Sequence, residues 1–139
     1  MILVFSWLGL LACHADEKMR VGLYLAENKT PPPEAQLVSE KMEYRLNSVF
    51  GFKHYELIKA EDVELGREGE HDVMPRKDFF IRLKPLPWQP GQPRVVDYEI
   101  YKDGFIVAHG TYEPHEETPL FINGPDFKQG RFIYVLEAR

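Results

Sequence analysis

The sequence predicts an α+β domain: a β-α-β start followed by a mostly antiparallel sheet packed on one helix. Three observations carry this. Only one stretch, residues 34–50, repeats its apolar residues at helical spacing. Several other segments alternate apolar and polar residues with period two. One of these pairs flanks Asp103-Gly104, the dipeptide preferred by a two-residue hairpin turn, because both central residues need positive φ.

The elements follow in order. Met19, Val21, Leu23 and Leu25 share one face of a first strand. Pro31-Pro32-Pro33 stops it, and the last proline suits a helix start. Ala35, Val38, Met42, Leu46 and Val49 then form the apolar stripe of a helix over Glu34–Phe50, with Gly51 as its stop. Tyr55, Leu57 and Ile58 centre a second strand within Phe52–Leu65. From Glu61 to Asp72 six acids face one Arg, which reads as a solvated connection. Phe79, Ile81 and Leu83 mark a strand over Asp78–Leu83. Four prolines between Pro85 and Pro93 predict an extended loop carrying Trp88.

The Val95–Tyr112 hairpin has a register fixed by its turn. Lys102 opposes Phe105, Tyr101 opposes Ile106, Ile100 opposes Val107, Tyr98 opposes His109 and Val95 opposes Tyr112. Both faces are partly apolar, which places the hairpin near the middle of a sheet. Leu120–Ile122 and Phe132–Leu136 are further strands, joined by a loop through Asn123-Gly124-Pro125 and Gly130.

Residues 1–15 are set apart as a targeting segment, and residues 16–139 form a single domain. Met1–Ala12 is almost wholly apolar, the length of a signal-peptide core and too short to span a membrane. Cys13-His14-Ala15 is a small-x-small cleavage site that would leave Asp16 first. Leu10-Leu11-Ala12-Cys13 alternatively resembles the lipobox of bacterial lipoproteins, in which Cys13 would be lipidated. Either reading exports the domain to the periplasm, the outer membrane or the exterior, with a lipid on Cys13 as its one route to a membrane.

The chain holds 139 residues and a net charge of −5, and no charged residue lies in the first fifteen. An acidic domain lacks the clustered Lys and Arg that nucleic-acid binding requires. Cys13 is the sole cysteine, so the domain has neither a disulfide nor a thiolate nucleophile.

No catalytic residues and no cofactor are predicted. There is no G-x-S-x-G turn, and no histidine pair has helical metal-ligand spacing. The remaining loop of interest, His115-Glu116-Glu117, reads as a polar connection rather than a metal site. Three residues stand as binding candidates. Trp88 in its Pro-rich loop can stack on a sugar ring or a partner peptide, or fold back on the sheet. Tyr98 and His109 form either a cross-strand polar pair or an acid–base couple.

Three stretches carry a resemblance. They are Phe50-Gly51-Phe52-Lys53-His54-Tyr55-Glu56-Leu57, then Phe80-Ile81-Arg82-Leu83-Lys84-Pro85-Leu86, and Pro119 to Pro125 leading to Gly130-Arg131-Phe132-Ile133-Tyr134-Val135. Together they resemble a loose group of small exported bacterial proteins of unknown function. The resemblance implies export and carries no activity over to any residue. The expectation is an envelope protein acting as a non-catalytic binding or assembly module, its partner an envelope protein or a glycan. The alternative is a small secreted hydrolase using Asp/Glu and His. A third reading has the chain offer a sheet edge or the Pro-rich loop to a partner.

Overall fold

The structure is a computed structural model, and it describes residues 17–139 apart from 31, 36–37, 67–68 and 115–117. The expected targeting segment over residues 1–15, with Cys13, and the His115-Glu116-Glu117 loop lie outside the described residues. In chain order the elements are β1 (Lys18–Glu27), α1 (Glu40–Val49), β2 (His54–Glu64), β3 (His71–Val73), β4 (Phe79–Pro85), β5 (Val96–Lys102), β6 (Phe105–Tyr112), β7 (Leu120–Phe127) and β8 (Gly130–Ala138).

The expected single sheet packed on one helix is not what the chain forms. The strands divide into two antiparallel sheets of four, ordered β2-β1-β8-β7 and β3-β4-β5-β6. The two sheets face each other across one core. Met19, Val21, Leu23 and Leu25 of β1 and Phe132, Tyr134 and Leu136 of β8 meet Phe79, Ile81 and Leu83 of β4 and Val96 and Ile100 of β5. The ring centres of Phe79 and Phe132 are 4.9 Å apart, joining one sheet to the other. Two facing sheets bury two alternating faces without needing a helix between them, so a fold with one short helix can still close its core.

The helix covers the outer face of the first sheet instead. Leu46 and Phe50 are buried there with Tyr24, Ala26, Tyr55, Ile133 and Val135. This is why β1 and β8 are apolar on both faces: one face meets the second sheet, the other meets α1. The helix is also shorter than the predicted span. Ser39 caps it, its side chain accepting from the Met42 N–H at 3.2 Å. A serine hydroxyl satisfies an amide that the prolines upstream could not.

Three local readings change as well. The hairpin turn is as expected, with Asp103 at φ 50° and Gly104 at φ 83°. Its register is not, because a β-bulge intervenes between Tyr101 and Ile100. Lys102 still opposes Phe105 and Tyr101 opposes Ile106, but Ile100 opposes Ala108, Glu99 opposes His109, Tyr98 opposes Gly110 and Val96 opposes Tyr112. One extra residue, Val107, thus shifts every pair beyond it. The hairpin is not central either, since β6 is the last strand of its sheet. Finally, Asn123-Gly124-Pro125 is not a loop but part of β7, where the register slips between Asn123 and Asp126. Proline tolerates a strand only at an edge or a bulge, and β7 supplies both.

Tyr134 gives the core a pH dependence. It is fully buried on β8 between the sheets. Burial raises its pKa far above the ordinary phenol value; Arg76 opposes this in part and Asp78 adds to it. The unfolded chain releases this proton near pH 10, about the ordinary value for Tyr, while the folded chain holds it. The stability tied to that proton is therefore complete below about pH 10 and is lost as pH rises above it. Denaturant midpoints compared between about pH 9 and about pH 11 should fall less for Tyr134→Phe than for the natural chain. Equal losses would show that Tyr134 does not govern the alkaline limb. Tyr24 and Tyr55, both raised first by burial, act in the same direction.

Candidate functional site

Among the described residues no helix covers the outer face of the second sheet, and alternation places polar and aromatic side chains there in ordered rows. One row crosses all four strands: Asp72 on β3, Arg82 on β4, Glu99 on β5 and His109 on β6 are successive register partners. The neighbouring row runs Phe80, Tyr101, Ile106.

Arg82 organises this face. Its Nε donates to Asp72 Oδ1 at 2.8 Å and its Nη2 to Oδ2 at 3.3 Å, a forked pair. Its Nη1 donates to the Tyr101 hydroxyl at 3.3 Å, and that hydroxyl donates to Glu99 Oε2 at 2.6 Å. The guanidinium carbon sits 4.9 Å from the Tyr101 ring centre and 5.6 Å from that of Phe80. The two rings stack 5.0 Å apart at 7°. The hydrogen bond to Asp72, more than any other contact, keeps Arg82 protonated. The bond to Glu99 raises the Tyr101 pKa above its ordinary value. Asp72, Arg82, Tyr101 and Glu99 are thus each answered by a neighbour. The array braces β3, β4 and β5 and leaves these four side chains little bonding capacity for a ligand.

The three residues singled out from sequence fall in three separate places. His109 is exposed on the outer face, opposite Glu99 rather than Tyr98. Tyr98 is half-buried against the core between the sheets. Its ring covers Gly110, where an added Cβ would lie 2.6 Å from the Tyr98 hydroxyl oxygen. The Tyr98–His109 couple therefore does not exist. Trp88 is held in its loop: its indole N–H donates to the Gln92 carbonyl at 2.7 Å, and the Arg94 guanidinium lies 4.2 Å from its ring centre. Arg94 is itself tied to Glu17 at 2.5 Å.

No group of three or more His, Cys, Asp or Glu side chains among the described residues could hold a metal ion. Among the described residues, no helix is long and apolar enough to cross a membrane.

The sequence reading missed the site that remains, the edge of β6. Among the described residues there are four edge strands, and three carry features that deter pairing. β2 is studded with Lys59, Glu61, Asp62 and Glu64. β3 has only three residues, one of them Asp72. β7 contains Pro125 and a slipped register. By contrast, Phe105–Tyr112 holds no Lys, Arg, Asp, Glu or Pro. It pairs with β5 alone among the described strands.

The same strand exposes three consecutive apolar residues. Phe105 is 75% exposed, Ile106 50% and Val107 55%. The bulge leaves Val107 without a register partner on β5. Beside it opens a cleft of about 340 Å³, walled by Lys102 and Val107 on the hairpin and by Asn123, Pro125, Asp126 and Arg131 on β7 and β8. Within it Arg131 is occupied by Asp126 at 3.2 Å and Asn123 at 3.3 Å. A signal for the site was present in sequence: eight strand residues without a formal charge in an acidic chain.

Comparison with known proteins adds no relative: the chain matches no family model, no curated protein and no solved structure.

Proposed function

We propose that the chain is an exported bacterial envelope protein, a non-catalytic binding or assembly module that engages an extended polypeptide strand along the edge of β6. The observation that carries this reading is the contrast between edges. Three are guarded by charge, brevity or proline, and one is left apolar and open. Strand addition gains main-chain hydrogen bonds from the partner, while pockets beside the edge select its side chains. Phe105–Val107 and the adjoining cleft supply such contacts. The self-satisfied Arg82 array supports a structural role for the outer face, which leaves the edge as the working surface.

Site-specific photo-crosslinking in cells that make the full chain tests this. A photoreactive residue at Val107 should give a discrete protein adduct, and one at Ile58 on the β2 edge should not. Exposure at Ile58 is 37%, so the control is accessible. Adducts of equal yield at both positions, or none at Val107, would remove the proposal.

A further inference from the structure

We infer that the cleft beside β6 takes a carboxylate, the side chain of an Asp or Glu on the strand that β6 accepts; this rests on the strand-addition reading above. The walls of the cleft are rich in donors and poor in acceptors. Lys102, at the end of β5, is half-buried, and among the described residues its ammonium makes neither a hydrogen bond nor an ion pair. An ammonium donates and never accepts. Arg131 on β8 gives Nε to Asp126 Oδ1 and Nη1 to Asn123 Oδ1, which leaves Nη2 uncommitted among the described residues. A guanidinium only donates, so Asn123 turns its oxygen toward Arg131 and keeps its amide nitrogen for another acceptor. The one carboxylate of the wall, Asp126, already accepts from Arg131.

Lys102 and Arg131 outnumber Asp126, so the wall is positive within a chain of net charge −5. Asp103 follows Lys102 at the turn and weakens that potential from outside. It is exposed, it is not part of the wall, and it makes no ion pair with Lys102. A carboxylate presents acceptors alone and meets the spare donors, whereas a Lys or Arg side chain would set donor against donor. At about 340 Å³ the cleft lies near the lower end of the range for small-molecule sites, about 300–1,000 Å³, and suits one side chain better than a cofactor. Val107 belongs both to the open edge and to the wall, so a strand laid along β6 passes the mouth of the cleft.

Peptide binding to the purified protein tests the inference. The probe is an end-blocked peptide of alternating threonine and valine with one central glutamate, compared with its glutamine counterpart. Amide shifts along β6 report where each binds. The glutamate peptide should bind at least about tenfold more tightly, the margin of charge-assisted over neutral hydrogen bonds. Lys102→Met should abolish that preference, and Lys102→Arg should keep it. Lys59→Met on β2, which removes the same charge elsewhere, should leave it unchanged. Thermal melts show whether each variant retains the fold, and the two peptides on the natural chain need no variant. Equal binding of both peptides along β6 overturns the carboxylate and leaves the strand-addition reading standing. A glutamate preference that survives Lys102→Met overturns the inference too. Sodium acetate that shifts the amides around Lys102 and Asn123 as strongly as the peptide assigns the cleft to a free carboxylate, which overturns the strand as its source. Binding of neither peptide also overturns the inference, and the Val107 crosslink then decides the strand-addition reading separately.

Discussion

Phe79→Ala is expected to cost about 3–5 kcal/mol of folding stability, the usual range for removing a buried phenyl ring. Phe79 is 2% exposed at the start of β4. Its ring centre lies 4.9 Å from that of Phe132 and 6.3 Å from that of Tyr134, both on the opposite sheet. The Arg76 guanidinium spans the pair, 5.4 Å from Phe79 and 5.1 Å from Phe132. Truncation opens a cavity at the seam between sheets, and surrounding β-strands relax little to fill it. Phe80, the next residue, faces outward and stacks on Tyr101, so Phe80→Ala should cost only about 0.5–1.5 kcal/mol. The comparison by urea denaturation reads directly which face of β4 lies inside. A larger loss for Phe80 than for Phe79 would contradict the two-sheet arrangement.

The second large effect concerns the helix. Leu46→Ala should cost about 2–5 kcal/mol, because Leu46 is the residue of α1 that is wholly buried. It fills the space above Ile133 and Val135, beside Tyr24 and Tyr55. Tyr44 on the same helix is 78% exposed, and Tyr44→Ala should change stability by under about 0.5 kcal/mol. A ten-residue helix cannot hold itself in water, so its docking and its existence are one event. The Leu46 variant should therefore lose helical signal in circular dichroism along with stability. A loss under about 0.5 kcal/mol would show that α1 is not fixed to the sheet.

These two side chains also show how far the sequence could be read. The period-two pattern of Phe79, Ile81 and Leu83 correctly marks one face of a strand as buried. It does not say what covers that face. A helix and a second sheet impose the same alternation, and the short chain offered one helix as the obvious cover. The better clue was β8, where Phe132, Tyr134 and Leu136 face one core cluster while Ile133 and Val135 face the other. A strand apolar on both sides needs two covers, and a single helix supplies one.

The hairpin teaches the opposite lesson. Asp103-Gly104 specifies its turn locally, so the turn and its first two pairs were legible. The bulge was not, because an extra residue is fixed by how the whole sheet twists rather than by a residue type. That single residue dissolves the Tyr98–His109 pair and turns Val107 outward. Apolar residues on both faces of the hairpin predict a central position. β6 is the last strand of its sheet instead, and only the strand order separates the two.

Trp88 was singled out because a Trp in a proline-rich loop is conspicuous. Its indole hydrogen bond and its contact with Arg94 are local to the loop, and neither required a partner molecule. Sequence cannot show that an aromatic ring is already engaged by its own neighbours.

Residue-resolved amide hydrogen exchange tests the central claim most directly. It should be run on the purified protein alone and again with an excess of the protein that crosslinks through Val107. Residues of β6 that turn their N–H away from β5 should exchange quickly alone and slowly with that partner present. The edges of β2 and β7 should show no such change. Exchange along β6 that is equally fast in every sample, or protection that appears on β2 or β7 instead, would contradict the account.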